Sequence, residues 1–249
     1  MSSNIRHATL VQQLRQRLQQ MGRGSPHSAG EKVHFSSGVA AIDALLPSGI
    51  LRVGMIVEWI TERAGSGAAR LALLMALKSL QSGGALVVID GRKEFYPPAA
   101  MRLGLDLART IVVRPRNSQE AIWALEQALG CGGVAAALGW IDKISDRAFR
   151  RLQLAVEQGA GLGVLMRPAA ARHEPTWADL RWWVQPVAKN GDAKNGDASS
   201  GRRLQIELLH CRGGTGGRAI ELEISDETGD VRMAPPLAAA ANLSRAARA

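Results

Sequence analysis

The amino-acid sequence predicts an α/β protein, a mostly parallel sheet flanked by helices with an antiparallel hairpin at one edge and an amphipathic helix ahead of the core. Three observations carry this expectation. Short apolar runs of strand length alternate with helical patterns from Val53 to Met166, the rhythm of strand–helix–strand units. The first run, Val53 to Trp59, passes through a Gly-bearing turn into an apolar helix from about Ala68 to Leu80. Near the C-terminus, AIELEI (219–224) alternates strictly and follows Arg203–His210 across a Gly-rich turn, which predicts paired strands.

Composition bounds the rest. The 249 residues, 46% of them apolar, suffice for one well-cored domain with tails. Three parts are expected: a helix and linker over 1–32, a core over 33–230 with a flexible insertion at 188–202, and a basic Ala/Pro-rich tail over 231–249 that is expected to be disordered. No apolar run approaches membrane-spanning length, and the N-terminus has no signal-like apolar core. Cys131 and Cys211 stand far apart without metal-ligand spacing, as in a reducing cytoplasm. The formal charge of +9 fits either a soluble Arg-rich chain or a polyanion partner, so the position of the charge must decide.

Taken in order, residues 8–21 place Leu10, Leu14 and Leu18 on one helical stripe, with Gln and Arg opposite. Such a helix, tied on by the linker 22–32, either caps its own core or docks on a neighbour. Ser37 to Leu45 reads as a Gly turn and short helix, ended by Pro47–Gly49. The stretch after Val53–Trp59 has the strand–turn–helix layout of a phosphate-binding loop, which holds phosphate with backbone N–H groups and the positive end of a helix. The first Gly of GxxxxGK[ST] corresponds to Thr61 and the last to Gly67, with Ala64, Gly65 and Ser66 between them. Ala68 stands at the Lys position and Ala69 at the Mg²⁺-binding hydroxyl, so the layout is present without the two side chains that hold ATP-Mg²⁺. No resident cofactor or metal is expected, although amides around Ala64–Gly67 retain the means to hold a phosphate weakly.

ALVVID (85–90) is a continuous apolar strand ending at Asp90, followed by Arg92 and Glu94. A short helix is expected over Ala99–Leu105, a strand over Ile111–Val113, a helix over Gln119–Leu129 capped by Ser118, and a strand over Val134–Leu138. Residues 143–158 read as a helix with Arg147, Arg150 and Arg151 near its start. The helix dipole disfavours cations there, so either a solvated face or an acidic or polyanionic partner is implied. Gly163–Met166 reads as a buried strand. Arg167, Arg172, His173 and Trp177 follow it, with chemistry suited to phosphates and stacked bases, while Trp182 and Trp183 read as packing residues. The repeated AKNGD of 188–197 is charge-balanced and predicts a hairpin insertion.

One long pattern carries a resemblance. SSGVAAIDALLPSGILRVGMIVEW (36–59) resembles the opening of the RecA recombinase core and, more closely through ALLPSGIL and the depleted phosphate loop, the ImuA family. These are RecA-like accessory proteins of bacterial translesion DNA synthesis, grouped with SulA-like proteins. The similarity runs from about Phe35 to Ile224 and implies a RecA-like fold. In RecA-like ATPases a catalytic Glu lies two residues past the position of Asp90, where this chain has Arg92. A Mg²⁺-orienting Asp closes the strand that here ends in Gly139-Trp140. The resemblance therefore implies a pseudo-ATPase with no catalytic residues. It places Arg147, Arg150, Arg151, Arg167 and Arg172 after the strands whose loops face single-stranded DNA, for weak contact.

The partners it implies are an ImuB-like inactive homologue of Y-family polymerases, an error-prone replicative-type polymerase and RecA itself, with a homo-oligomer through the N-terminal helix as a further expectation. Two other readings stay open: an active DNA-dependent RecA-like ATPase, and a SulA-like cell-division inhibitor.

Overall fold

A computed structural model describes residues 33–63, 65–187, 201–225 and 229–234. Leu10, Leu14, Leu18, Ala64, the repeated AKNGD stretch and the tail beyond Ala234 lie outside these residues. Two short strands, β1 (His34–Phe35) and β2 (Leu51–Arg52), pair antiparallel. The main strands are β3 (Met55–Thr61), β4 (Ala85–Ile89), β5 (Thr110–Val113), β6 (Val134–Trp140), β7 (Leu162–Pro168), β8 (Leu180–Pro186), β9 (Gly201–Cys211), β10 (Arg218–Ser225) and β11 (Val231–Met233). Among the described residues they form one nine-stranded sheet in the order β11-β10-β9-β8-β3-β7-β6-β4-β5. The run from β8 to β5 is parallel, and β9, β10 and β11 extend one edge antiparallel. The expected α/β sheet with an edge hairpin is thus present.

The helices are α1 (Ala40–Asp43), α2 (Ala68–Ser79), α3 (Pro97–Arg102), α4 (Ser118–Leu129) and α5 (Asp146–Gly159). α2 lays Leu71, Ala72 and Met75 in the core that holds Val57, Trp59 and Trp182. α4 and α5 cover the opposite face with Leu125, Leu129, Phe149, Leu152 and Val156, in the core of Ile56, Val87 and Leu165. Because both faces are covered, β3 and β4 are buried without alternation, and apolar along nearly their whole length save Glu58 in β3. Trp59 and Trp182 stack at 5.8 Å between ring centroids, both fully buried. Gly159 lets α5 approach the end of α4 closely, since a Cβ there would overlap the Leu129 carbonyl.

Several boundaries differ from the expectation. α4 is capped by Asn117, whose side chain accepts from the Glu120 N–H at 2.9 Å, and Ser118 is the first helical residue. Asn117 has the extended backbone that a cap requires. β6 continues through Trp140, so Gly139 is a strand residue packed beside Ile89 and Leu165. Val231–Met233 does not join the tail but pairs with β10, covering backbone groups that would otherwise form an open edge.

Candidate functional site

The carboxyl ends of β3, β6 and β7 border a cleft lined by Gly65, Ser66, Gly67, Ala68, Ala69, Arg92 and Trp140. In open parallel sheets such tips are where ligands bind. Thr61 ends β3, and its hydroxyl lies 3.0 Å from the Arg63 carbonyl and 2.6 Å from Ser66 Oγ. Ser66 Oγ accepts from the Ala68 N–H at 3.4 Å. Gly67 caps α2 with φ 92°, a left-handed geometry that a side chain resists. A Cβ there would also lie 2.8 Å from Leu204 of β9. Arg202 donates to the Gly65 carbonyl at 3.1 Å, and Arg70 donates to the Gly229 carbonyl, so the loop and the head of α2 are braced by the antiparallel edge.

The span from Thr61 to Gly67 corrects one alignment. It is one residue longer than GxxxxG spacing, so Thr61 occupies the first Gly position only with an extra residue in the loop. Ala68 is buried and Ala69 exposed at the start of α2. Neither methyl can donate a hydrogen bond or bind Mg²⁺. At these two positions what remains for an anion is the backbone and the positive end of α2, with Arg63 and Arg92 on the cleft wall.

Across the cleft, Asp90 is fully buried and accepts from the N–H groups of Glu94 (2.8 Å) and Phe95 (3.3 Å). It shapes the loop after β4. Arg92 lies 3.4 Å from Glu94 and forms an ion pair with Asp142, which sits in the loop after β6. Two side chains near the catalytic positions of RecA-like ATPases are therefore tied to each other. Among the described residues no group of three His, Cys, Asp or Glu could hold a metal ion. No helix there is long and apolar enough to cross a membrane.

The five arginines grouped by sequence separate in the structure. Arg147, Arg150 and Arg151 form an exposed stripe on α5. Arg151 bonds Glu126 of α4 at 2.5 Å, and the Arg150 guanidinium lies 5.6 Å from the Trp177 ring centroid. Arg167 requires correction as a DNA contact. It is the penultimate residue of β7, its side chain is 1% exposed, and it pairs with Glu58 at 3.2 Å and Glu174 at 2.5 Å. Arg172 is corrected in part: it pairs with Glu207 at 3.1 Å and lies 4.7 Å from the Trp183 ring. The cause is the path of the chain. Residues 169–179 cross between parallel β7 and β8 against the sheet, so Ala171 is fully buried and Thr176 reaches Glu58 at 2.7 Å.

Glu58 was missed by the sequence reading. It lies fully buried at the middle of β3 and also holds Arg181 of β8 at 2.7 Å. A lone acid in MIVEWIT, with Arg167 and Arg181 in other buried runs, was the available signal. It needed the order β8-β3-β7 to become a cluster.

The fold and the strand–loop–helix at its tip define the RecA-like class. No family model matches the chain. It is 34% identical over 198 residues to Protein ImuA of Caulobacter vibrioides, a match covering 74% of this chain and 80% of the relative. The chain belongs to the ImuA family. It is also similar to the cell division inhibitor SulA of Photorhabdus laumondii, 30% identical over 39% of this chain and 54% of the relative. Protein RecA of Chlorobium chlorochromatii is 30% identical over 47% of this chain and 32% of the relative.

Proposed function

We propose that this chain is a RecA-like accessory protein of DNA-damage tolerance that acts in translesion synthesis through protein partners and does not hydrolyse ATP. The observation that carries the reading is the composition of the sheet tip. Ala68 and Ala69 head α2, and Arg92 is held by Asp142 where RecA-like ATPases keep a catalytic acid. Phosphoryl transfer relies on cations and Mg²⁺ to stabilise charge on the transferring group, and at the head of α2 backbone dipoles stand in place of the Lys and the Mg²⁺-binding hydroxyl. Membership of the ImuA family supports the cellular role. By that resemblance the partners are an ImuB-like polymerase homologue, an error-prone replicative-type polymerase and RecA.

The test is genetic. A bacterial strain lacking this chain should lose mutagenesis induced by DNA damage, and Arg92→Ala should complement as well as the wild type. Unchanged mutagenesis in the deletion strain overturns the reading. Loss of the division arrest that follows damage would assign the chain to the SulA-like alternative instead.

A further inference from the structure

Two of the six tryptophans are exposed, Trp123 at 44% and Trp177 at 42%. They flank one continuous surface. Trp123 lies one helical turn from Glu126 on α4, and Glu126 bonds Arg151 of α5. On α5, Arg147, Arg150, Arg151 and Leu154 form an exposed stripe at helical spacing, with Leu154 50% exposed. Arg150 then reaches over Trp177. This face lies on the side of the sheet opposite α2.

We propose that this face docks an acidic segment of a partner protein carrying bulky apolar anchors. Exposed Trp and Arg beside an exposed leucine match the side chains that dominate binding energy at protein interfaces. The arginines set the sign of the partner. Arg151 has Glu126 and Arg150 has the Trp177 ring, whereas Arg147 sits in the first turn of α5, where the helix dipole repels it. An incoming carboxylate relieves that repulsion.

The long terminal segments of the chain do not fit as occupants. Residues 1–32 carry Arg6, Arg15, Arg17, Arg23 and Lys32 against Glu31, and residues 235–249 carry Arg245 and Arg248 without an acid. A second copy of the same face would bring arginine to arginine. Nucleic acid fits less well than an acidic peptide with apolar anchors, because the face carries an exposed leucine, which neither stacks on a base nor meets a phosphate. The docking face does not depend on the reading of the sheet tip.

The test selects peptides from a random displayed library on the full-length chain and compares them with a labelled oligothymidylate. Enriched peptides should be net acidic with a bulky apolar residue. They should bind at least about tenfold more weakly to Leu154→Ser, and likewise to Arg147→Glu with Arg150→Glu, the loss expected of a hot-spot side chain. Circular dichroism melting should be unchanged for Leu154→Ser, whose side chain faces solvent. The proposal falls if no peptide is enriched, or if enriched peptides bind these variants as well as the wild type. It also falls if the oligothymidylate alone binds through these residues, which would make the face a nucleic-acid surface.

Discussion

Strand β3 passes through two polar environments that differ in what they hold. At mid-strand, Glu58 is fully buried and bonded to Arg167, Arg181 and Thr176. At the tip a few residues on, where RecA-like ATPases place cation and carboxylate chemistry, the turn into α2 offers hydroxyls, glycines and two alanines, and Arg92 across the cleft is tied to Glu94 and Asp142. The charge of Glu58 therefore ties β3 to its two neighbours, whereas the two positions at the head of α2 where the fold usually holds phosphate and Mg²⁺ carry none. A buried ion pair is weak evidence of net stability, because desolvation offsets the attraction, but breaking one leaves an uncompensated charge. The two environments should respond differently to substitution.

The largest effect is expected at mid-strand. Glu58→Ala leaves the Arg167 and Arg181 guanidiniums buried beside each other, and should cost about 3–5 kcal/mol in urea unfolding. A cost under about 1 kcal/mol would mean that the cluster holds nothing together. Replacing Glu58, Arg167 and Arg181 together with apolar residues of similar volume should recover much of that loss.

At the tip, Ala68→Lys with Ala69→Thr should restore Mg²⁺-ATP binding before hydrolysis, because Arg92 is unchanged. Saturation at about a hundred times the dissociation constant would stabilise this variant by about 2.7 kcal/mol, seen as a raised Tm. Gly67→Ala meets both a left-handed φ and Leu204, and should cost about 1–3 kcal/mol. The contrast sharpens between arginines. Arg167→Ala should unfold the chain as readily as Glu58→Ala, whereas Arg151→Ala, losing a surface pair, should cost under about 1 kcal/mol. The mildest difference concerns the thiols. Burial first, and Asp179 second, push the Cys211 thiol up, so it should be alkylated more slowly than half-buried Cys131 and gain reactivity only at higher pH.

The sheet was legible because its strands are buried on both faces and stand out as apolar runs between helical patterns. The phosphate-loop position was legible for the same reason, since a strand, a Gly turn and a helix follow one another without a break. The fate of individual charges was not. Arg150 and Arg167 look alike in sequence, each with further basic residues close by. One connection crosses through the fourteen-residue helix α5 and leaves its arginines outside. The other crosses on a short 3₁₀ turn and extended chain laid on the sheet, which draws Arg167 and Arg172 inward. Loop path depends on long-range pairing, and one-dimensional patterns do not record it.

The central claim is that the tip has the layout of a nucleotide site without its chemistry. Steady-state ATP hydrolysis by the purified full-length chain, with Mg²⁺ and with or without single-stranded DNA, tests it most directly. Turnover should match a heat-inactivated control under both conditions. DNA-stimulated hydrolysis that disappears in a variant with Arg92 or Glu94 replaced by alanine would contradict the account and make this chain an active ATPase.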